Sequence, residues 1–339
     1  MNALTLDEAA LARYLEVNLD GFRGPLKATK FKGGQSNPTY LVEAASGDYV
    51  LRRKPPGVLL ASAHAVDREF RAIAALGATD VPVPRALHLC RDESVIGSMF
   101  YVMSRVAGTI HWDPALPTLD AAARTATYAE IVRVLARLHA VDPAATGLAD
   151  YGKPGNYFAR QLARWVEQYR ASETDRIDAM EHLIAWLPAH LPADDGAVSI
   201  AHGDYRIDNL VFAPGDTPRI AAILDWELST LGHPHADLSY FCMALRLPRN
   251  PIIPGLAGVA RGPLGIPAET ELVDAYVAAG GRAPAAGWDA LLAFNFFRLA
   301  AIAQGVKKRA LQGNASSEQA AAVGAMVGQV AALGASLAH

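Results

Sequence analysis

The segment His202-Gly203-Asp204-Tyr205-Arg206-Ile207-Asp208-Asn209 constrains this chain more than any other feature, together with Asp225, which follows the apolar run Ile220-Ala221-Ala222-Ile223-Leu224 sixteen residues after Asn209. Asp204 and Asn209 stand in a D-x-x-x-x-N spacing, and Asp225 sits where a strand would end. Phosphoryl transfer asks for this set of groups. It needs an acceptor held in line, a base for the proton of its hydroxyl, and neutralisation of phosphate charge. A carboxylate at Asp204 can accept from a hydroxyl. The amide oxygen of Asn209 and the carboxylate of Asp225 are hard ligands suited to Mg²⁺, which offsets charge by bridging phosphates. The plainer alternative is a turn followed by a helix cap, because His-Gly-Asp and Asp-Asn are good loop formers. Two segments in the right order, each beside an apolar run, favour the phosphoryl-transfer reading.

A chain of 339 residues, half of them apolar, is long enough for two lobes with a substantial core. A net charge of −3 argues against general nucleic-acid binding. Cys90 and Cys242 are the only cysteines and no C-x-x-C is present, which fits a reducing, cytoplasmic setting. The stretch from Met1 to Asp20 lacks a basic start and carries Asp7, Glu8 and Glu16, so it reads as an amphipathic helix and not a signal peptide. Gln319 to Ala338 is long and uncharged, but it is Ala/Gly-rich without a basic flank. It reads as a packed C-terminal helix, and no membrane association is expected.

The pattern divides near residue 104. Phe31 to Glu43 reads as a turn and a strand, Tyr49 to Arg53, Ala86 to Cys90 and Met99 to Met103 as further strands, and Val66 to Leu76 as a helix with Phe70, Ile73 and Leu76 on one side. From His111 the periodicity is helical, through Thr127–Ala140, Tyr157–Tyr169, Asp178–Leu187, Glu269–Ala279 and Trp288–Leu311. The short strands around the motifs interrupt it, and Arg246 to Pro267 is a long Pro/Gly-rich connection. The expectation is an α+β fold of two lobes: a small β-rich lobe with one main helix over 1–104, and a larger helical lobe over 105–339.

A nucleotide site needs further parts. Gly33-Gly34-Gln35-Ser36-Asn37, just before a strand, can cover phosphates, because glycine lets the backbone approach and successive N–H groups favour an anion. A Gly-Gly alone is more often an ordinary turn. Arg52 sits where a phosphate-holding cation would point, with Glu69 on the next helix as its partner. Arg53 and Lys54 compete for that role, and each is equally readable as a solvated charge. Backbone groups from Met103 to Val106 would meet the adenine. His202 is expected to order the loop. His233-Pro234-His235 has H-x-H metal spacing but only Asp237 nearby, so structural hydrogen bonding is favoured. Asp237 then fixes the loop backbone from a helix start.

These residues resemble the aminoglycoside phosphotransferase/choline kinase branch of the protein-kinase-like fold, which has H-G-D in its catalytic loop. The resemblance is strongest to the kinase domain of acyl-CoA dehydrogenase family members 10 and 11 and their stand-alone bacterial relatives. It rests on Gly34 to Tyr40, Leu51 to Gly57, Ala63 to Glu69, Thr79 to Pro84, Asp225 to Gly232 and Gln304 to Arg309. It implies ATP and Mg²⁺ as cofactors, Asp204 as catalytic base, Asn209 and Asp225 as Mg²⁺ ligands, and Glu69 as partner of the phosphate-binding cation. The broader fold has lysine where this chain has Arg52. Arginine holds phosphate as a fork instead of a point charge.

The acceptor is less constrained. From Cys242 to Ala268 the chain has Arg246, Arg249 and Arg261 and no carboxylate, and Lys307, Lys308 and Arg309 form a second basic cluster. These suit an anionic substrate as well as they suit a solvated basic face. The resemblance implies phosphorylation of the hydroxyl of a hydroxyacyl-CoA, notably the 4-hydroxy type. Three alternatives stand beside it. One is a kinase for another small alcohol or an aminoglycoside. Another is a nucleotide-binding, pseudokinase-like module. The third is a metal hydrolase built on His202, His233 and His235.

Overall fold

The structure, a computed structural model, describes residues 6–31, 37–55, 65–250, 252–284, 286–312 and 320–339. The chain divides into two compact units. The first runs to Thr109 and includes the later segments Val211–Pro214 and Ala221–Ser229. The second comprises Ile110–Leu210, Gly215–Ile220 and Thr230–His339.

The first unit is built on a five-stranded sheet of β1 (Leu26–Lys30), β2 (Thr39–Ala44), β3 (Gly47–Arg53), β4 (Ala86–Cys90) and β5 (Phe100–Ser104), in the order β1-β2-β3-β5-β4. All its pairings are antiparallel. Helix α1 (Glu8–Asn18) starts at Asp7, whose carboxylate accepts from the Ala10 N–H at 2.9 Å. Its Leu11 and Leu15 pack into one cluster with Tyr40, Val42, Leu51, Phe100 and Val102. Strand β1 was not anticipated. Only Leu26 of Leu-Lys-Ala-Thr-Lys is buried, so this edge strand lacks the apolar alternation that marks the others.

Helix α2 (Val66–Leu76) buries Val66, Glu69, Ala72, Ile73 and Leu76. That spacing is one helical stripe, and Glu69 lies on it. The periodicity that packs the helix therefore carries a carboxylate inward. Strand β3 sets Arg52 opposite Thr39 on β2 and Tyr101 on β5. Because side chains alternate across a strand, Arg52 and Arg53 leave on opposite faces.

The second unit is helical: α3 (Ala121–His139), α4 (Tyr157–Ser172), α5 (Asp178–His190), α6 (Pro234–Met243), α7 (Arg261–Leu264), α8 (Glu269–Ala278), α9 (Trp288–Leu311), α10 (Ala320–Ala325) and α11 (Val327–Ala335). Helix α9 is its axis and packs against α4, α5, α6, α10 and α11. It is long and apolar enough to cross a membrane, but 78% of its most apolar window is buried inside the protein, as expected of a core helix. The single C-terminal helix expected from Gln319 is two helices with Met326 between them. Gly324 and Gly328 flank the break, and glycine weakens a helix interior by about 1 kcal/mol.

Four short strands frame the motifs. Strand β6 (Ser199–Ala201) pairs with β9 (Thr230–Gly232), and β7 (Leu210–Phe212) lies beside β8 (Ile220–Ile223). Asp204 and Asn209 occupy the loop from β6 to β7, and Asp225 follows β8.

Candidate active site

In the first unit Arg52 is nearly buried and faces three carboxylates. Its Nε lies 2.7 Å from Glu69 Oε2, an ion-pair distance without hydrogen-bond alignment. One terminal nitrogen donates to Asp225 Oδ1 at 2.6 Å and lies 3.5 Å from Glu227 Oε2. Glu69 is held from two further sides. Asn37 Nδ2 donates to its Oε1 at 2.7 Å and Tyr101 Oη to its Oε2 at 3.1 Å. Burial pushes the Glu69 carboxyl up, to about 7, against the pull of Arg52. For Arg52, burial acts downward, but the charges of Glu69 and Asp225 outweigh it and hold the guanidinium above its ordinary value. Of the three candidate cations, Arg52 is the one paired with Glu69. Arg53 turns away and donates to Ser98 Oγ at 2.9 Å.

Asp225 has a left-handed backbone, with φ 63° and ψ 66°. A non-glycine residue seldom holds that conformation, and it costs of order 1–3 kcal/mol. It opens a single 3-10 turn, Trp226–Leu228, tied down by the Trp226 Nε1 donation to Ile223 O at 3.0 Å. The Asp225 side chain remains 36% exposed.

In the second unit the loop carrying Asp204 is fixed from beneath. Asp237, buried at the start of α6, accepts from the backbone N–H of His202 at 2.6 Å and of Gly203 at 2.8 Å. Burial would raise the Asp237 carboxyl, but the hydrogen bond and charge of His139 lead the interactions that hold it below the ordinary carboxylate range. His139 in turn bonds Tyr276 Oη at 2.7 Å. Gly203 takes φ 83°, which a side chain would resist. Within the loop, His202 Nδ1 accepts from the Asp204 N–H at 3.2 Å.

The Asp204 carboxylate then has two donors. Tyr240 Oη on α6 donates to Oδ1 at 2.8 Å, and Asn209 Nδ2 donates to Oδ2 at 3.1 Å and to the Asp204 carbonyl at 2.9 Å. Asn209 thus uses its nitrogen on Asp204, and its amide oxygen takes no part in those bonds. Arg298, on α9, donates to Gly203 O and lies over the Tyr240 ring at 5.0 Å. Arg206 is clamped by Asp208, with Nε 3.0 Å from Oδ1. Tyr240, Arg298, His139 and the Arg206–Asp208 pair were not anticipated from sequence.

The other expected residues fall as follows. Gly33, Gly34, Gln35 and Ser36 lie outside the described residues. Asn37 is fully buried with its amide nitrogen on Glu69. Met103, on β5, is buried. The three arginines are unlike one another. Arg246 makes a bidentate pair with Glu269, at 2.9 and 2.7 Å, and lies 3.4 Å from Asp289. Arg249 pairs with Asp113 at 2.9 Å, while Nη1 of Arg261 is buried without a hydrogen-bond partner. The segment itself contains no carboxylate, but its neighbours in space do.

His233 and His235 have protein partners. His233 Nδ1 accepts from the His235 N–H at 3.2 Å and its Nε2 lies 3.3 Å from Asp195; His235 Nε2 meets Arg282 O at 3.0 Å. Burial lowers His235 from 6.5 to about 4, partly opposed by the Arg282 carbonyl. A histidine depressed in the folded state binds its proton sooner in the unfolded chain. Stability is therefore intact above about pH 6.5 and is lost as pH falls toward 4, by roughly 3 kcal/mol in full. Denaturant midpoints measured from pH 7.5 to 5 should decline, and His235→Gln should flatten the decline. Equal slopes for the two proteins would remove His235 as the cause.

A β-rich unit that pairs a buried Arg–Glu couple with a strand-end aspartate, and a helical unit that carries an H-G-D loop, define a protein-kinase-like phosphotransferase. The chain belongs to the phosphotransferase enzyme family, whose model matches residues 27–294. It is 46% identical over 332 residues to acyl-CoA dehydrogenase family member 10 of Mus musculus, which covers 97% of this chain. The chain spans only 31% of that relative's length. A crystal structure of a putative aminoglycoside phosphotransferase from Ralstonia eutropha JMP134 is 47% identical with a TM-score of 0.88, covering 98% of each chain. The aminoglycoside phosphotransferase APH(4)-Ia, solved with ADP and hygromycin B, shares the fold at a TM-score of 0.62 and 12% identity, over 97% of this chain and 98% of its own.

Proposed function

We propose that this chain transfers the γ-phosphate of ATP to the hydroxyl of a hydroxyacyl-CoA, of the 4-hydroxy type. The observation that carries the reaction is the Asp204 carboxylate, held at both oxygens by neutral donors on a loop whose backbone is itself anchored. The acceptor hydroxyl gives its proton to Asp204 as its oxygen bonds phosphorus and the bond from phosphorus to the ADP oxygen breaks. Oriented proton acceptance of this kind contributes about 10²–10⁴-fold. On the nucleotide side, Arg52 braced by Glu69 meets phosphate, and the Met103 backbone meets adenine. The first unit thus serves the nucleotide and the second the acceptor. The ADP bound by APH(4)-Ia supports ATP as donor.

Asn209 and Asp225 would hold Mg²⁺. The donor chemistry fits: an amide oxygen outside the Asp204 bonds, and a part-exposed carboxylate in a group of three carboxylates facing one guanidinium. When bound, the ion neutralises phosphate charge. The acceptor assignment draws on the acyl-CoA dehydrogenase family name of the mouse relative and on Arg249 and Arg261, which are less fully paired than Arg246 and suit an anionic carrier. Cys90 and Cys242 are buried free thiols, which supports a reducing, cytoplasmic setting.

The test is transfer from MgATP to hydroxyacyl-CoAs, free hydroxy acids and aminoglycosides, read by mass of the product. A phosphorylated thioester is the expected result. Phosphorylation of an aminoglycoside alone would replace the acceptor. Bound MgATP with no product from any acceptor would favour a binding module.

A further inference from the structure

A narrow cleft in the second unit opens beside the loop that carries Asp204. Arg206, Ile207 and Asp208 of that loop line it, together with Tyr240, whose hydroxyl donates to Asp204 Oδ1. The lining also includes the hydrocarbon side chains of Met243, Leu247, Ile253, Pro254 and Leu299. Tyr240 thus joins the cleft to the carboxylate, and most of the remaining lining is apolar. Trp112 stands at the cleft with 66% of its surface exposed, among the largest apolar exposures of the described residues. Arg249 and Asp113, paired at 2.9 Å, lie with Trp112 and Pro254 around the adjoining depression.

We infer that this cleft binds a short unbranched aliphatic arm of the acceptor, with the reacting hydroxyl at the Tyr240 end. The inference rests on the hydroxyacyl reading above and adds its specificity determinants. A polycationic sugar would leave its ammonium groups against Met243, Leu247 and Leu299 without partners, which is unfavourable. A methylene chain loses nothing there and sheds water. The cavity volume is about 50 Å³. A cleft of that size takes a short chain and not a long one. Each methylene accepted is worth about 0.8 kcal/mol, or about fourfold in affinity, so affinity should climb for the first few carbons and then stop. Ile253 and Leu247 line the cleft, and changing their size should move that stopping point.

The experiment uses the full chain and straight-chain acyl-CoAs without a hydroxyl, from two to ten carbons. Binding is followed by tryptophan fluorescence, with Trp112→Phe to isolate the reporter. A rise of about fourfold per carbon over the first several carbons, followed by a plateau, is expected. Ile253→Trp, which narrows a half-exposed position, should bring the plateau forward and weaken the longest ligands at least tenfold while sparing the shortest. Leu247→Ala should move it later. Affinity that ignores chain length, or a loss from Ile253→Trp that is equal for all ligands, overturns the inference. The two readings fail separately. A length-dependent plateau without phosphate transfer to the matched hydroxyacyl-CoAs removes the proposed function and leaves the cleft assignment standing. Transfer with flat length dependence removes the cleft assignment alone.

Discussion

Asparagine in place of Asp204 lowers phosphate transfer by about 10²–10⁴-fold, the usual contribution of a positioned base, and leaves the protein folded. The substitution keeps the shape of the side chain. Tyr240 Oη still finds an oxygen at its 2.8 Å position, and only the contact with Asn209 Nδ2 must adjust. The loop backbone hangs from Asp237 and Arg298, not from Asp204, so its course is kept. Turnover and MgATP affinity should therefore separate: kcat collapses while the dissociation constant from calorimetry stays within a few fold. Turnover within tenfold of wild type would remove Asp204 as the base. Tyr240→Phe is the graded companion. It deletes one hydrogen bond to a charged group, about 1.5–3 kcal/mol, and keeps the ring that lines the cleft. The fall should appear in kcat and leave the acceptor KM alone.

What could be read in advance was whatever chemistry is local in sequence. Asp204 and Asn209 lie five residues apart, and Asp225 ends an apolar run, so their types and order are visible without the fold. Helix α2 was legible because Phe70, Ile73 and Leu76 repeat at helical spacing, although its buried stripe runs through Val66, Glu69, Ala72, Ile73 and Leu76 and Phe70 is only part-buried. The choice between Arg52 and Arg53 was not, because strand parity depends on partners, here Thr39 and Tyr101, that only pairing supplies. Tyr240 lies 36 residues from Asp204 inside a stretch that reads as core. Arg298 lies 95 residues from Gly203. A single arginine in the apolar middle of α9 was a signal that something polar must meet it, since a buried guanidinium needs partners. The basic segment shows the converse. Counting charges between Cys242 and Ala268 missed Glu269, Asp289 and Asp113, which come from outside it and pair with two of its three arginines.

Arg52→Ala should be the most destabilising single change in the first unit. It leaves Glu69, with 1% of its side chain exposed, facing Asp225 and Glu227 without the guanidinium that pairs with all three. Breaking a buried pair from one side costs about 3–5 kcal/mol, which lowers the melting temperature by roughly 6–10 °C. Asn37 and Tyr101 remain as donors to Glu69 and limit the loss. The deficit should depend on pH. Glu69 already sits near 7 with Arg52 present, and without that pull its folded-state value rises further. A carboxyl raised above its unfolded value favours the folded state when protonated and loses that advantage as pH climbs. Arg52→Ala should therefore melt closest to wild type near pH 5.5 and furthest below it at pH 8. Pairing it with Glu69→Gln should recover part of the stability and remove the pH dependence, the coupling expected of residues in contact. Arg52→Lys restores the charge without the fork, and reaches one carboxylate where arginine reaches three. It should regain more stability than MgATP affinity. A deficit for Arg52→Ala that is small and equal at both pH values would mean that the Glu69 carboxylate is satisfied by Asn37 and Tyr101 alone, and that Arg52 serves the nucleotide without serving the fold.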